Sequence, residues 1–278
     1  MQTSASDDPF QFNFAASDNV APSLKAFGIE EQKASPLSSV EVRPPASLAP
    51  SLVLDQVQLT EAVYLLKGRV SSAAAAHLVQ DENLQNSDLQ PGKYEGGFKL
   101  WECAVDLAQY LCREYSLDKL ITSKTDPNFE LDFNKEVLTA LTSQNVTANR
   151  QRLPKSRRPV SARYFCGDWS SLGSLLASEN LGGTYDIIIS AETIYSLESQ
   201  QQLFHCIKQA IKPPTGVAYI AAKTYYFGVG GGTTSFKKLL KSDGMLEVTT
   251  VATIDEGGGN KREILKLKFP DNIVPYFL

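Results

Sequence analysis

Hydrophobic and polar positions change their period several times along this chain. Over residues 100–115 the apolar positions Leu100, Trp101, Val105, Leu107, Ala108 and Leu111 recur at the three-to-four spacing of a helix. Residues 135–149 repeat that spacing with Val137, Leu138, Leu141 and Val146. Residues 172–179 and 236–242 also read as helix, as do 196–212, closed by Pro213 and Pro214. Strand candidates lie between these helices. They are 128–133, 162–166, the β-branched run Tyr185-Asp-Ile-Ile-Ile-Ser190, and 216–222. The last two are continuous apolar runs, the pattern of parallel strands buried on both faces. Residues 246–254 and 262–269 alternate with period two about Asp255-Glu-Gly-Gly-Gly-Asn260, which predicts a hairpin. Alternating strands and helices with a terminal hairpin predict an α/β fold with a mostly parallel sheet.

The first third of the chain reads differently. Residues 1–50 are rich in Ser, Ala, Pro and Asp, and Phe10, Phe12 and Phe14 have no periodic partners to bury them. Such a segment cannot offset its ordering entropy, so a disordered tail is expected, with docking through the Phe triplet as the sharper alternative. Residues 52–70 alternate enough for short strands, and residues 71–93 turn polar again. The expected division is a tail over 1–50, an extension over 51–93 and a folded domain over 94–278. Within that domain, residues 150–163 hold Arg150, Arg152, Lys155, Arg157, Arg158 and Arg163 and predict a basic loop. It reads as a solvated insertion or as an import or RNA-facing patch.

Composition narrows the class. The 278 residues carry a net charge of −4, which argues against a generally basic nucleic-acid binder. No apolar run approaches the roughly 18 residues of a membrane span. The N-terminus lacks a basic region followed by an apolar core, so no secretory leader is read there. Cys103, Cys112, Cys166 and Cys206 show no C-x-x-C spacing, and only His77 and His205 could assist them. Neither a zinc site nor a disulfide framework is expected, and reduced thiols point to cytosol or nucleus.

In an open parallel sheet, ligands bind beyond the carboxyl ends of the strands. Those ends read Asp132-Phe-Asn134, Gly167-Asp-Trp169, Ser190-Ala-Glu-Thr193 and Lys223-Thr-Tyr-Tyr-Phe-Gly228. A carboxylate after an early strand suits a ribose diol, and an acid beside a Trp suits adenine. An adenosine-containing ligand is the resulting expectation. Gly228-Val-Gly-Gly-Gly232 follows a strand and precedes a helix, but misses G-x-G-x-x-G at Thr233 and comes late in the chain. It reads as a rim to a substrate pocket rather than a phosphate cradle.

Several longer motifs then stand out in order: Tyr94-Glu-Gly-Gly-Phe-Lys-Leu-Trp-Glu-Cys103, Gly167-Asp-Trp169, Ser190-Ala-Glu-Thr-Ile-Tyr195, Ala222-Lys-Thr-Tyr-Tyr-Phe-Gly-Val-Gly-Gly-Gly232 and Asp255-Glu-Gly257. Together they resemble the seven-strand, S-adenosylmethionine-dependent histidine protein methyltransferases over about residues 85–270. The resemblance implies a Rossmann-like sheet with a C-terminal antiparallel hairpin. It also implies S-adenosylmethionine as methyl donor and a histidine of a large-subunit ribosomal protein as acceptor. Related enzymes that modify lysine keep that acceptor open as well. A monomer in cytoplasm and nucleus, with no membrane or direct nucleic-acid contact, goes with this reading. By position, Leu100, Trp101, Glu102, Cys103 and Ala104 should cover the methionine part of the donor. Asp132, Phe133 and Asn134 should hold the ribose, and Gly167, Asp168 and Trp169 should frame the adenine. Ser190 should lie near the sulfonium. Glu192, Thr193, Tyr195 and Tyr226 should line the acceptor entrance, with Glu192 and Tyr195 as the catalytic candidates.

One part of the pattern is missing. No glycine occurs between Gly97 and Gly167. A glycine turn normally precedes the ribose-binding acid by about 20 residues, and that distance before Asp132 falls in an amphipathic helix. The family's first strand, its glycine loop and the following helix have no counterpart here. Loss of a central strand would leave its neighbours' backbone groups without partners. Three readings are open: an incomplete gene model or skipped exon, a naturally inactive variant, or a strand rebuilt by residues 113–127.

Overall fold

The computed structural model describes residues 38–45, 47–80, 93–115, 128–132, 134–153, 162–257 and 260–272. In chain order the elements are β1 (Val40–Val42), β2 (Leu54–Gln58), β3 (Tyr64–Gly68), α1 (Ser72–Val79), α2 (Glu102–Glu114), β4 (Asn128–Asp132) and α3 (residues 135–151). Then come β5 (Ala162–Cys166), α4 (Trp169–Ser178), β6 (Ile187–Ala191), α5 (Leu197–Ala210), β7 (Val217–Lys223), α6 (Thr233–Asp243), β8 (Glu247–Ile254) and β9 (Arg262–Lys268). The middle of α3, Leu138–Thr142, is wound as a π-helix.

The β-branched and apolar run of β7 forms the centre of a four-stranded sheet ordered β6-β7-β9-β8. It pairs parallel with β6 and antiparallel with β9. Ala218, Ile220 and Ala222 face Phe204, Ile207, Phe236 and Leu240 of α5 and α6. Tyr219 and Ala221 face Cys103, Leu107 and Leu111 of α2 on the other side. The period-two hairpin of β8 and β9 forms as the sequence predicts. Arg262 ties it to α2, with Nε donating to Asp106 at 2.7 Å and the guanidinium also meeting Glu256 at 3.1 Å.

The expected single, mostly parallel sheet is not what the described strands form. They fall into three sheets: β1-β5-β4, β2-β3 and β6-β7-β9-β8. Only the pairs β4–β5 and β6–β7 are parallel. The physical reason is the one the sequence raises: no described strand pairs with the outer edge of β4 or of β6. The two parallel pairs are joined instead by helices. α4 packs on α5, and Leu172, Leu176, Cys206 and Ala210 enclose Phe165 of β5 beside Ile188 of β6. The β6 run, which reads as a strand buried on both faces, lies at a sheet edge. Ile187 is 38% exposed and Ile189 59% exposed.

Other expectations change locally. Val40–Val42, within the expected tail, pairs antiparallel with β5, and Arg163 of β5 holds Glu41 at 2.7 Å. Residues 1–37 lie outside the described residues. Within the polar stretch 71–93, Ser71 caps α1 by accepting from the Ala74 N–H, and Ala75 and Ala76 are buried. Four successive alanines favour a helix without an amphipathic signature. Residues 154–161 of the expected basic loop lie outside the described residues. Its described ends are engaged, Arg152 over the Tyr64 ring at 3.8 Å and Arg163 with Glu41 and Glu179. From residue 116 to 127, the stretch that could rebuild a strand also lies outside them. No helix among the described residues is long and apolar enough to cross a membrane.

The edge position of β6 has a measurable consequence. Ile189→Thr should change the unfolding free energy by less than about 0.5 kcal/mol, as exposed substitutions do. Ile220→Thr on β7, which is fully buried, should cost at least about 2 kcal/mol through lost apolar packing and a buried hydroxyl. Urea unfolding of both variants checks the contrast; equal costs would mean that β6 is covered.

Candidate functional site

The segment from Tyr94 to Trp101 docks on the end of β4. The Tyr94 ring stacks on Phe98 at 5.8 Å, and its hydroxyl accepts from the Phe98 N–H at 3.0 Å. Asn134 Nδ2 donates to the Lys93 carbonyl at 2.8 Å, and Asn134 Oδ1 accepts from the Glu95 N–H at 3.2 Å. Asp132 Oδ1 accepts from the Asn134 N–H at 2.8 Å. Gly97 lies directly against this carboxylate: a Cβ there would stand 2.6 Å from Asp132 Oδ2 and 2.8 Å from Val137 Cγ1. Glycine is needed at this position because the backbone and the carboxylate approach so closely. The Trp101 indole N–H donates to the Gly96 carbonyl at 3.0 Å and holds the turn closed. Phe133 lies outside the described residues.

A second cluster forms where β6 and β7 end. Glu192 follows β6 in the left-handed region at φ 58, with its N–H donating to the Ala221 carbonyl at 2.9 Å. This costs a non-glycine residue of order 1 kcal/mol, so the surrounding contacts over-determine the turn. The Tyr226 hydroxyl donates to Glu192 Oε2 and accepts from the Lys223 N–H at 3.2 Å. Glu192 Oε1 is buried and takes no N–H or O–H donor among the described residues, and the Cys103 thiol hydrogen-bonds to this carboxylate. Cys103, fully buried at the start of α2, lies beside the same carboxylate. Burial pushes its thiol pKa far up, and the negative charge of Glu192 adds to that. Burial does the same to the Tyr226 hydroxyl, again followed by the Glu192 charge. Both groups are therefore neutral at ordinary pH. Tyr195 donates its hydroxyl to Glu95 Oε2, and its ring meets Tyr226 edge-on at 6.4 Å.

The two clusters thus bring together Asp132, Asn134, Cys103, Glu192 and Tyr195 with Tyr226. Ser190 sits at the end of β6, where its hydroxyl meets that of Thr193 at 2.5 Å. Leu100, Trp101 and Ala104 are half-buried around the start of α2, while Glu102 is engaged by Lys223 at 3.5 Å and Arg262 at 3.6 Å. At the end of β5 the expected adenine-framing residues make structural contacts. Asp168 caps α4 by accepting from the Ser170 N–H at 2.8 Å, and Trp169 packs into the core with Phe165 and Ile188. Gly167, at φ 135, is covered by Ser39, whose Oγ donates to the Asp168 carbonyl at 3.1 Å. Glu95, Asp106, Lys223 and Arg262 also shape the site. Glu95 and Lys223 stand in the quoted motifs, but nothing in their spacing shows which side chains they reach. No cluster of His, Cys, Asp and Glu able to hold a metal occurs among the described residues.

Two outcomes follow. Gly97→Ala should lower stability by about 1–3 kcal/mol by overpacking against Asp132 and Val137, measured by thermal unfolding. The buried acids should also make the fold sensitive to alkali. Burial raises Cys206 from 9.0 to about 12, so its native-state advantage is complete below pH 9 and is lost as pH climbs from 9 towards 12. Cys103 and Tyr226 move in the same direction. Each group whose native pKa is raised removes up to about 1.4 kcal/mol per pH unit within its window. The melting temperature should therefore fall steeply above pH 9; a flat profile to pH 11 would show these groups to be solvated.

No protein-family model matches the chain. The histidine protein methyltransferase 1 homolog of Dictyostelium discoideum is 35% identical over 201 residues, covering 66% of this chain and 61% of that protein. The homolog of Rattus norvegicus is 31% identical over 227 residues, covering 69% of this chain and 62% of that protein. Histidine protein methyltransferase 1 of Schizosaccharomyces pombe is 26% identical over 205 residues, covering 56% of this chain and 59% of that protein. The rat alignment is informative in its length: 69% of 278 residues is well short of 227 positions, so that relative carries residues inside the aligned stretch that this chain lacks. The chain is a homologue of the proteins named histidine protein methyltransferase 1, and it spans about three-fifths of their length.

Proposed function

We propose that this chain derives from a protein-histidine N-methyltransferase that transfers a methyl group from S-adenosylmethionine to a histidine of a large-subunit ribosomal protein, and that it keeps the acceptor side of that site. The observation that carries this is the Glu192 carboxylate at the end of β6, set between the Cys103 thiol and the Tyr226 hydroxyl, with a buried Oε1 that takes no N–H or O–H donor among the described residues. A neutral imidazole fits such a group. Its pKa is near ~6.5, so at pH 7 it is mostly neutral and already nucleophilic. It needs no strong base before attack. It needs the right tautomer, with one nitrogen protonated and held and the other presented. Glu192 Oε1 can accept that N–H, while Tyr226 fixes the other carboxylate oxygen. Alignment of this kind is the main contribution an enzyme makes to an in-line displacement.

The donor side fits less well. Asp132 and Asn134 stand at the end of β4 beside Gly97, but Asn134 is buried with its amide atoms engaged by Lys93 and Glu95. The glycine turn that would let backbone approach the sulfonium is missing from the sequence between Gly97 and Gly167. The described β4 and β6 do not share a sheet. That gap favours a second reading, in which the chain binds the acceptor protein without methylating it, in cytoplasm or nucleus.

One assay separates the two. The chain is incubated with labelled S-adenosylmethionine and large-subunit ribosomal proteins, with mass spectrometry locating any methyl group. Transfer to histidine supports the enzyme, and Glu192→Gln should then lower the rate by about 100-fold or more. Transfer to lysine would change the acceptor class. Absence of transfer with calorimetric binding of a histidine peptide supports the non-catalytic form. Neither transfer nor binding overturns both.

A further inference from the structure

The Asp132–Asn134 end of β4 and the Glu192–Tyr195 loop after β6 belong to sheets that share no ladder. Glu95 joins them. The Glu95 backbone N–H is fixed to Asn134 Oδ1 at 3.2 Å, and its carboxylate accepts from the Tyr195 hydroxyl. Its neighbours are also held on the β4 side, through Asn134 to the Lys93 carbonyl, Tyr94 on Phe98, and Gly97 against Asp132. The backbone of Glu95 is thus set by one half of the molecule and its side chain reaches the other.

Tyr195 carries the restraint onward. Its carbonyl accepts from the Gly231 N–H at 2.9 Å, and the Ile194 carbonyl accepts from the Gly232 N–H at 2.9 Å. A Cβ on Gly231 would stand 2.3 Å from the Tyr195 carbonyl oxygen, so the glycine loop lies directly on this backbone. The Tyr195 ring then meets Tyr226, which holds Glu192. A continuous path of contacts runs from Asn134 through Glu95, Tyr195 and Tyr226 to Glu192.

We propose that Glu95 is a positioning residue of the acceptor site, setting Tyr195, the glycine loop over residues 228–232 and Glu192 from the Asp132–Asn134 end of β4. This rests on the acceptor-site reading above. The role requires a hydrogen-bond acceptor and no charge, so glutamine at this position preserves it, whereas alanine abolishes it.

Hydrogen exchange on the full chain, without ligand, tests this. In Glu95→Ala, amides over residues 192–197 and 226–232 should exchange about tenfold faster or more, with β7 unchanged as internal reference. Glu95→Gln should stay within about twofold of the parent chain. Unchanged exchange in Glu95→Ala overturns the proposal, and so does a Glu95→Gln variant as fast as Glu95→Ala. If Glu95→Ala does not fold, Tyr195→Phe removes the same bond from the other side and must give the same acceleration. Calorimetry with a histidine peptide then addresses the acceptor reading separately. Binding weakened in Glu95→Ala and restored in Glu95→Gln supports both. No binding by the parent chain, with exchange as expected, sinks the acceptor reading and leaves Glu95 as a strut of the loop.

Discussion

The paired backbone of β7 is the constraint on which the rest of this structure depends. Its residues are bonded on one side to β6 and on the other to β9. Its side chains from Ala218 to Ala222 are almost wholly removed from water by helices on both faces. Such a strand satisfies its polar backbone through its neighbours and gains apolar burial on each face. The chemistry-bearing loops start from it. The Ala221 carbonyl accepts from the Glu192 N–H, and the Lys223 N–H donates to Tyr226. A rigid ladder thereby fixes two side chains that lie 34 positions apart in sequence.

The opposite side of the molecule shows what happens when a ladder is missing. β6 presents Ile187 and Ile189 to solvent, and β4 belongs to a different sheet. An edge strand with exposed apolar side chains is an unprotected template for pairing. The β4–β5 pair keeps its place by packing of α4 on α5 and by the Glu95 bridge to Tyr195. Side-chain contacts substitute there for backbone pairing. They transmit position, but they do not bring the two strand ends to the register that a shared sheet would impose.

Much of the local structure was legible because its causes are local. The three-to-four spacing from Leu100 onwards gave α2, and the alternation around Asp255 gave the β8–β9 hairpin. Ser196 and the prolines at 213 and 214 bounded α5. Other elements had no periodic signal to read. α1 is built on four alanines with a serine cap, and β1 is three residues in a proline-rich stretch, held by β5. The Ile187–Ile189 run carried a clear signal of burial on both faces, yet the structure leaves it at an edge. Its residues fit a complete sheet; the partner on that side is what the described chain does not supply.

The sequence by itself determined which residue types stand at the strand ends: Asp132, Glu192, Tyr195 and Tyr226, with glycines where backbones must approach closely. It also exposed the missing glycine turn, because an absence of one residue type over a long interval needs no structure to be seen. Tertiary structure alone decided the partners. It gave Asp168 a capping bond to α4, packed the half-buried Trp169 against the core, and made Glu95 a link between the two strand ends. The physical reason is range. Helix and strand periods, caps and turns follow from neighbours a few residues away, whereas Glu95 meets Tyr195 across 100 positions, a contact that exists only once the sheets and helices have packed.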